Sequence, residues 1–237
     1  MTDEETRAQA ILYAKQNKLR IARLRTDPHI YAPTREPISV FMAGSPGAGK
    51  TEFSRDLVTI LESEGDQRVV RIDADDIRND LPGYFGGNAH LFQGAASLIV
   101  EKMHDLALHR SQHFILDGTF TNSEKAKENI DRSLSRQRKV WVVYVYQKPD
   151  VAWEFTQARE KIEGRKIPRE LFAEQFLNAR LTVAKVHEAY GTQVTIFIVK
   201  KDFQNNAIER IAQLDQNTSI DSLLGHVYTK DEIEKKL

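Results

Sequence analysis

The residues with the clearest chemical potential form the segment GSPGAGKT, which runs from Gly44 to Thr51. It fills the pattern G-x-x-x-x-G-K-[ST], in which backbone N–H groups of a glycine-rich loop surround a phosphate. The segment follows an apolar run and opens a helical one, so the positive helix N-terminus would face the same phosphate. Lys50 would reach the β- and γ-phosphates, and the Thr51 hydroxyl would ligate Mg²⁺. The predicted nucleotide-binding residues are Gly44, Ser45, Pro46, Gly47, Ala48, Gly49, Lys50 and Thr51.

A cluster of carboxylates follows the second apolar run, in the segment IDADDIR. A carboxylate near a transferred phosphate can accept the proton of an attacking hydroxyl and aim its oxygen at phosphorus. We select Asp75 as this base. Asp73, closest to the strand, could instead be structural, and Asp76 could cap the helix that begins near Ile77. A solvated acidic turn is the remaining alternative.

Asp117 ends the third apolar run, in the segment FILDGTFTN. This is the position of a Walker B acid, which holds hydrated magnesium or a substrate hydroxyl; alternatively, Asp117 caps the next turn. Ligands gather at the carboxyl ends of parallel strands, so Asp117 and the acidic cluster should share one edge. The sequence has no Asn-Lys-x-Asp box, which argues against a GTPase switch.

Two arginines flank a glycine-containing loop at residues 163–168. Phosphoryl transfer spreads negative charge over the migrating group, and guanidinium groups on a closing loop neutralise that charge and exclude water. We therefore predict a mobile arginine lid with Arg159 and Arg165 as catalytic residues. A solvated position near a helix end is the alternative for Arg159.

The elements that must position these residues alternate between apolar runs and helical segments. The runs cover residues 38–43, 68–72, 114–116, 140–146 and 194–199, and the helical segments cover 50–64, 89–110, 123–137, 150–162 and 169–188. Continuous apolar runs joined by helical crossovers predict a three-layer α/β domain with a parallel sheet.

Residues 4–25 form a helix, and three prolines make the next twelve residues an extended connector. The predicted organisation is therefore 1–37, helix and connector, and 38–237, the P-loop domain. A short capped helix at the C-terminus lies at the periphery.

Composition excludes several classes. Lysine plus arginine and aspartate plus glutamate both number 34, so net charge argues against an extended nucleic-acid track. There are no cysteines, which fits a reducing compartment. The acidic start differs from a secretory signal, and the run at residues 140–146 is too short to span a bilayer. We expect a cytoplasmic protein that does not bind membranes.

The motifs GSPGAGKT, IDADDIR, DGT and REKIEGRKIP, in this order, resemble the zeta toxin family of P-loop kinases, which is related to chloramphenicol phosphotransferase. The resemblance covers roughly residues 38–180. It implies a nucleoside-monophosphate-kinase-like sheet of five strands in the order 2-3-1-4-5. It also implies ATP and Mg²⁺ as cofactors, and transfer of the γ-phosphate to the 3′-hydroxyl of the sugar in UDP-N-acetylglucosamine. By motif, Lys50 and Thr51 match the phosphate and magnesium residues, Asp75 the base, and Arg159 and Arg165 the arginines that clamp the phosphates.

The resemblance also implies acceptor-binding residues. Asp117 stands where many members have a glutamate, and with Thr119 it would contact the substrate. Glu101, sixteen residues before Asp117, falls where the family has a substrate-binding glutamate. Phe120 departs from the family, whose best-studied members have a small residue followed by arginine. Many members are neutralised by a small helical antitoxin, so the family likeness implies such a partner. The N-terminal helix could be part of the enzyme, a docking surface or a tethered inhibitor.

Two other functions stay open. The segment ADDIR also resembles the Asp-Asp-x-x-Arg of viral polynucleotide kinases, in which Asp75 would be the base and Arg78 would hold a substrate phosphate. Arg78 is therefore included among the predicted substrate-binding residues. The second alternative is a regulatory module that binds ATP without a catalytic role.

Overall fold

A mostly parallel sheet forms the centre of the protein, as the apolar runs predict. The computed structural model describes residues 1–65, 67–201 and 208–237. The strands are β1 (Ile38–Ala43), β2 (Val70–Asp73), β3 (Phe114–Asp117), β4 (Lys139–Tyr146), β5 (Val194–Lys201) and β6 (Ile208–Gln213). The helices are α1 (Asp3–Arg25), α2 (Lys50–Glu64), α3 (Ala74–Arg78), α4 (Ala89–His109), α5 (Ser123–Leu134), α6 (Pro149–Glu163), α7 (Arg169–Tyr190), α8 (Ile220–Leu224) and α9 (Lys230–Lys236).

The strand order within the described residues is β2-β3-β1-β4-β5-β6. The predicted order 2-3-1-4-5 of parallel strands is confirmed, and the sheet has one strand more than the five predicted. The additional strand, β6, runs antiparallel to β5 at the edge of the sheet. Its segment IERIAQ is mostly exposed and has no continuous apolar run, so its sequence does not resemble a buried strand. Residues 202–207, which connect β5 to β6, lie outside the described residues.

Both faces of the sheet are covered by helices, which confirms the three-layer architecture. Along β1, Phe41 and Ala43 point into one apolar cluster, while Val40 and Met42 point into a second cluster on the opposite face. All four side chains are at most 1 % exposed. A strand buried on both faces requires apolar residues at successive positions, which explains the uninterrupted run.

Strand register brings the chemical residues to one edge. β3 lies between β1 and β2, and Asp73 at the end of β2 pairs in register with Asp117 at the end of β3. The glycine-rich loop leaves the end of β1, which is the strand next to β3. The loop and both carboxylates therefore share the carboxyl edge of the sheet, where open α/β proteins bind ligands.

Helix α1 packs along α4, and Ala10, Ala14 and Ala22 belong to the same apolar cluster as β1. A capping box between Thr2 and Glu5 starts this helix. Helix α1 therefore packs as part of the same folded unit as the sheet. The domain boundary at residue 37 stays a prediction. No helix in the described ranges has the length and apolar character needed to cross a bilayer.

The C-terminal helix α9 begins with the predicted capping box, formed by Thr229 and Glu232. The expectation that this helix is peripheral was incomplete, because Ile233 is fully buried in the main apolar cluster.

The buried layer between α4 and the sheet should dominate stability. Ile99 on α4 is 0 % exposed, and its truncation removes apolar burial and leaves a cavity. We expect Ile99→Ala to lower the free energy of unfolding by roughly 2–5 kcal/mol in urea titrations. Ile60→Ala on α2 is the control, because Ile60 is 49 % exposed and its truncation should cost far less. Equal losses in the two variants would contradict this packing.

Candidate active site

The glycine-rich loop between β1 and α2 packs closely against neighbouring backbone. A Cβ added at Gly44 would lie 2.4 Å from the carbonyl oxygen of Val145, and one at Gly47 would lie 1.9 Å from that of Ala152. Gly47 and Gly49 adopt left-handed φ values of +70° and +85°. Only glycine meets both requirements, so the spacing of these glycines follows from the shape of the loop.

Lys50, the first residue of α2, folds back over this loop. Its Nζ donates a hydrogen bond to the carbonyl oxygen of Ser45 at 2.7 Å. Burial lowers the pKa of Lys50 to about 8, although the nearby Asp117 carboxylate opposes that shift. The charges of Arg159, Asp75 and Arg165 also act on this ammonium group. The predicted phosphate lysine therefore shares one electrostatic environment with the predicted base and the lid arginines.

The three aspartates after β2 have different partners. Asp73 is the N-cap of α3, and its Oδ1 accepts a hydrogen bond from the Asp75 backbone N–H at 2.8 Å. Asp76 pairs with Arg71 at 2.5 Å. The alternative in which Asp76 caps the helix was wrong, because Asp73 occupies the N-cap position. Asp73 provides the cap because it is the residue with extended backbone immediately before the helix.

Asp75 lies at the centre of a cluster of guanidinium groups. Its Oδ2 accepts hydrogen bonds from Arg165 at 2.5 Å and from Arg159 at 3.2 Å, and its Oδ1 pairs with Arg78. Burial by itself would raise the pKa of Asp75, but Arg165, Arg78 and Arg159 together hold it below its ordinary value. Asp75 is therefore ionised near neutral pH, which is the state that a general base requires.

Arg78 is only 2 % exposed and forms an ion pair with Asp75. One of its Nη atoms binds Asp75, the other binds Gln93 of α4, and its buried Nε has no partner among the described residues. Burial, the largest cause, lowers the pKa of Arg78. Its terminal nitrogens are occupied inside the protein, so the geometry favours a supporting role over an exposed phosphate-binding role.

A second ionic network lies beside the first and contains a residue that the sequence analysis missed. Arg71 of β2 donates to Asp117 at 2.7 Å and to the Ser54 hydroxyl at 2.9 Å, and it also pairs with Asp73. Ser54 in turn donates to the same Asp117 oxygen at 2.7 Å. The signal was a charged residue between Val70 and Ile72 in a predicted strand, because a buried charge needs a partner.

Register explains why this network needs an arginine. The carboxylates of Asp73 and Asp117 lie at adjacent strand ends, and burial followed by repulsion from Asp117 raises the pKa of Asp73 to about 6. Arg71 offsets part of that effect. The Oδ1 atom of Asp117 has no hydrogen-bond partner within the described ranges, and neither does the Thr51 hydroxyl. Both oxygen atoms are of the kind that Mg²⁺ prefers.

Asp117 and Thr119 lie at the carboxyl edge of the sheet, whereas Glu101 lies on helix α4. The carbonyl oxygen of Thr119 accepts a hydrogen bond from Gly44 N–H at 3.2 Å, so the loop after β3 is attached to the phosphate loop. Phe120 has a left-handed φ of +60° and packs its ring near Phe41. Glu101 lies further away on the exposed side of α4, where its carboxylate contacts Lys125 at 3.2 Å.

The lid begins at the end of α6, where Gly164 has a left-handed φ of +71° and caps the helix. Arg159 Nε donates to both carboxylate oxygens of Glu163 at 2.9 Å, and Arg165 extends from the loop to Asp75. The two predicted lid arginines therefore converge on one carboxylate, although they lie on opposite sides of the turn.

Comparison with known proteins identifies the family. A family model described as Zeta toxin matches residues 21–215, which is most of the chain. The chain belongs to the zeta toxin family. The zeta toxin match contains the phosphate loop, both ionic networks and the lid, and it leaves out the first twenty residues and helices α8 and α9.

Solved structures share the fold. A chain from the PezAT chromosomal toxin–antitoxin system of Streptococcus pneumoniae aligns over 94 % of this chain and 94 % of its own, with a TM-score of 0.70 and 18 % identity. A chain from the AvrRxo1-ORF1:-ORF2 crystal structure with ATP aligns over 93 % and 70 %, with a TM-score of 0.58 and 10 % identity. At such identities the likeness shows the fold alone. No curated protein sequence matches significantly.

The titration of Lys50 should control nucleotide affinity. As the pH rises through about 8, this lysine loses the proton that attracts phosphate, so the affinity for MgATP should fall by up to tenfold per pH unit. Lys50→Arg keeps its charge throughout this range and should show a flat profile, even if it binds more weakly. Calorimetric titration between about pH 7 and pH 9.5 measures both. A flat wild-type profile would contradict the assignment.

Proposed function

We propose that the protein is an ATP-dependent kinase that transfers the γ-phosphate to a hydroxyl group of a small molecule, most closely a nucleotide sugar such as UDP-N-acetylglucosamine. The observation that carries this proposal is the position of Asp75. An ionised carboxylate lies at the strand edge beside the phosphate loop, and two lid arginines contact it directly. Membership of the zeta toxin family supports the same reaction class.

Each part of the site has its own role in the proposed phosphoryl transfer. Backbone N–H groups of the loop and Lys50 bind the β- and γ-phosphates. The phosphate oxygens compete with Asp75 for Arg159 and Arg165, because both are anionic partners for the same guanidinium groups. Asp75 then accepts the proton of the acceptor hydroxyl, while the arginines neutralise charge on the group in transfer.

Thr51 and Asp117 are the residues that would hold magnesium. The Thr51 hydroxyl and Asp117 Oδ1, which have no hydrogen-bond partner in the described part of the chain, fit an ion that takes few protein ligands and completes its shell with water and phosphate oxygens. When bound, the ion neutralises phosphate charge. Arg71 and Ser54 hold the other oxygen of Asp117 and so orient its free oxygen.

The acceptor would lie beyond Thr119. A cleft of about 450 Å³ lies between residues 121–123 and helix α7, and it is lined mainly by amide and hydroxyl side chains such as Asn122, Asn178 and Thr182. Such a lining suits a ligand rich in hydroxyl and carbonyl groups, as a nucleotide sugar is. Asp117 would contact the acceptor at the strand edge, whereas Glu101 pairs with Lys125 and does not line this cleft.

We also propose an antitoxin partner. One solved relative belongs to a toxin–antitoxin system, and another was crystallised as a complex of two open reading frame products. The test is to coexpress the chain with a small helical protein encoded by a neighbouring gene and to see whether the two elute together in size-exclusion chromatography.

The acceptor assay separates the proposed function from its rivals. The protein is incubated with MgATP and either UDP-N-acetylglucosamine or a 5′-hydroxyl oligonucleotide, and the products are analysed by mass spectrometry. We expect the sugar nucleotide to gain the mass of one phosphate. A phosphorylated oligonucleotide would support the polynucleotide kinase. ATP binding without any phosphorylated acceptor, including those in cell extract, would support the regulatory module.

Removal of the base should stop transfer without preventing nucleotide binding. We expect Asp75→Asn to lower phosphoryl transfer by about 100-fold or more, because the amide cannot accept the proton, with little change in ATP affinity. Asp80→Asn is the matched control, since Asp80 undergoes the same chemical change but pairs with Arg25 of α1. Wild-type turnover in the Asp75 variant, measured in the same assay, would eliminate this residue as the base.

A further inference from the structure

The loop of residues 79–88, between α3 and α4, has no role in the mechanism above, yet its shape is well defined. The buried Asn88 side chain donates to the Gly83 carbonyl oxygen at 2.9 Å and accepts from the Phe85 backbone N–H at 3.1 Å. These bonds fix the backbone that leads to Gly86 and Gly87. A loop held by its own buried amide can act as a rigid support.

The backbone of this loop approaches the backbone of the lid closely. Gly86 has a φ of +80°, and a Cβ added there would lie 2.0 Å from the carbonyl oxygen of Glu163. From the other side, a Cβ added at Gly164 would lie 3.2 Å from the backbone nitrogen of Gly87. We call the four residues Gly86, Gly87, Glu163 and Gly164 the glycine seam.

The glycine seam lies between the two lid arginines. The carboxylate of Glu163 holds Arg159, and Arg165 directly follows Gly164 and contacts Asp75 at 2.5 Å. Any displacement of the seam therefore moves both guanidinium groups relative to Asp75. A misplacement of about 1 Å in a catalytic arrangement can cost about 100-fold in rate.

We infer that Gly86 and Gly87 are positioning residues, which form the support on which the arginine lid rests when its arginines reach Asp75. This inference depends on the proposed function for its catalytic consequence. The absence of side chains at Gly86 and Gly164 sets how closely the lid approaches the loop. A methyl group at residue 86 would move the lid outward and withdraw the arginines from the base.

The test compares Gly86→Ala with Gly83→Ala. Gly83 belongs to the same loop and has a similar φ of +84°, but a Cβ there meets only the Phe92 ring at 3.8 Å. Both variants therefore introduce alanine into left-handed backbone, and only one collides with the lid. Gly164→Ala approaches the seam from the lid side and is the second variant if Gly86→Ala does not fold.

Limited trypsin digestion measures the lid without any need for activity. The lid contains cleavable bonds after Arg165 and Lys166, and Lys161 precedes it in the last turn of α6. We expect Gly86→Ala to be cut at these bonds about tenfold faster than wild type, and Gly83→Ala to be cut at the wild-type rate. Equal rates in all three proteins would overturn the seam as the support of the lid.

Kinetics then test the catalytic consequence. We expect Gly86→Ala to lower kcat about 100-fold with a smaller change in the KM for ATP, because the phosphate loop is untouched. Faster cleavage of the lid with unchanged kcat would overturn the positioning role. If wild-type protein phosphorylates no acceptor, the proposed kinase function fails, while the digestion comparison still decides whether the seam supports the lid.

Discussion

The attraction between Asp75 and three guanidinium groups holds the parts of this site in one arrangement. Arg78 lies three residues after Asp75 in α3, while Arg159 and Arg165 come from α6 and the loop before α7, so one carboxylate joins two segments that are distant in sequence. A half-buried carboxylate of this kind is tolerated because its charge is compensated at short range. The same pairing keeps the base ionised and brings the lid to the phosphate loop, so the chemistry of the base and the position of the lid are coupled.

The neighbouring network follows from strand register. Parallel pairing places Asp73 beside Asp117, and two buried carboxylates at adjacent strand ends repel each other. Arg71 lies between them and relieves that repulsion, and one Asp117 oxygen keeps no hydrogen-bond partner among residues 1–65, 67–201 and 208–237. The two networks thus shift two carboxylates only two residues apart in opposite directions: the pKa of Asp73 is raised to about 6, and that of Asp75 is lowered.

Much of this arrangement could be predicted because its signals are local. The phosphate loop has its own pattern, and continuous apolar runs predicted β1 to β5 with boundaries within a few residues, while the strand order came from the family resemblance. Prediction failed where the decisive contact was long-range. Arg71 resembled an ordinary strand residue, and β6 has the polar sequence of an exposed edge. The error at Asp76 was local, because the helix begins one turn earlier than predicted and Asp73 caps it.

Residue types and spacing alone establish a phosphate loop, a cluster of acids and a basic loop in one α/β chain, because each is written in a short segment with a local physical cause. Which acid meets which base is decided only in the folded molecule. Asp75 and Arg165 are ninety residues apart, and they meet because parallel strands end at one edge and two glycine backbones allow the lid to approach. Packing, which depends on the whole chain, therefore selects one carboxylate among three for the centre of the site.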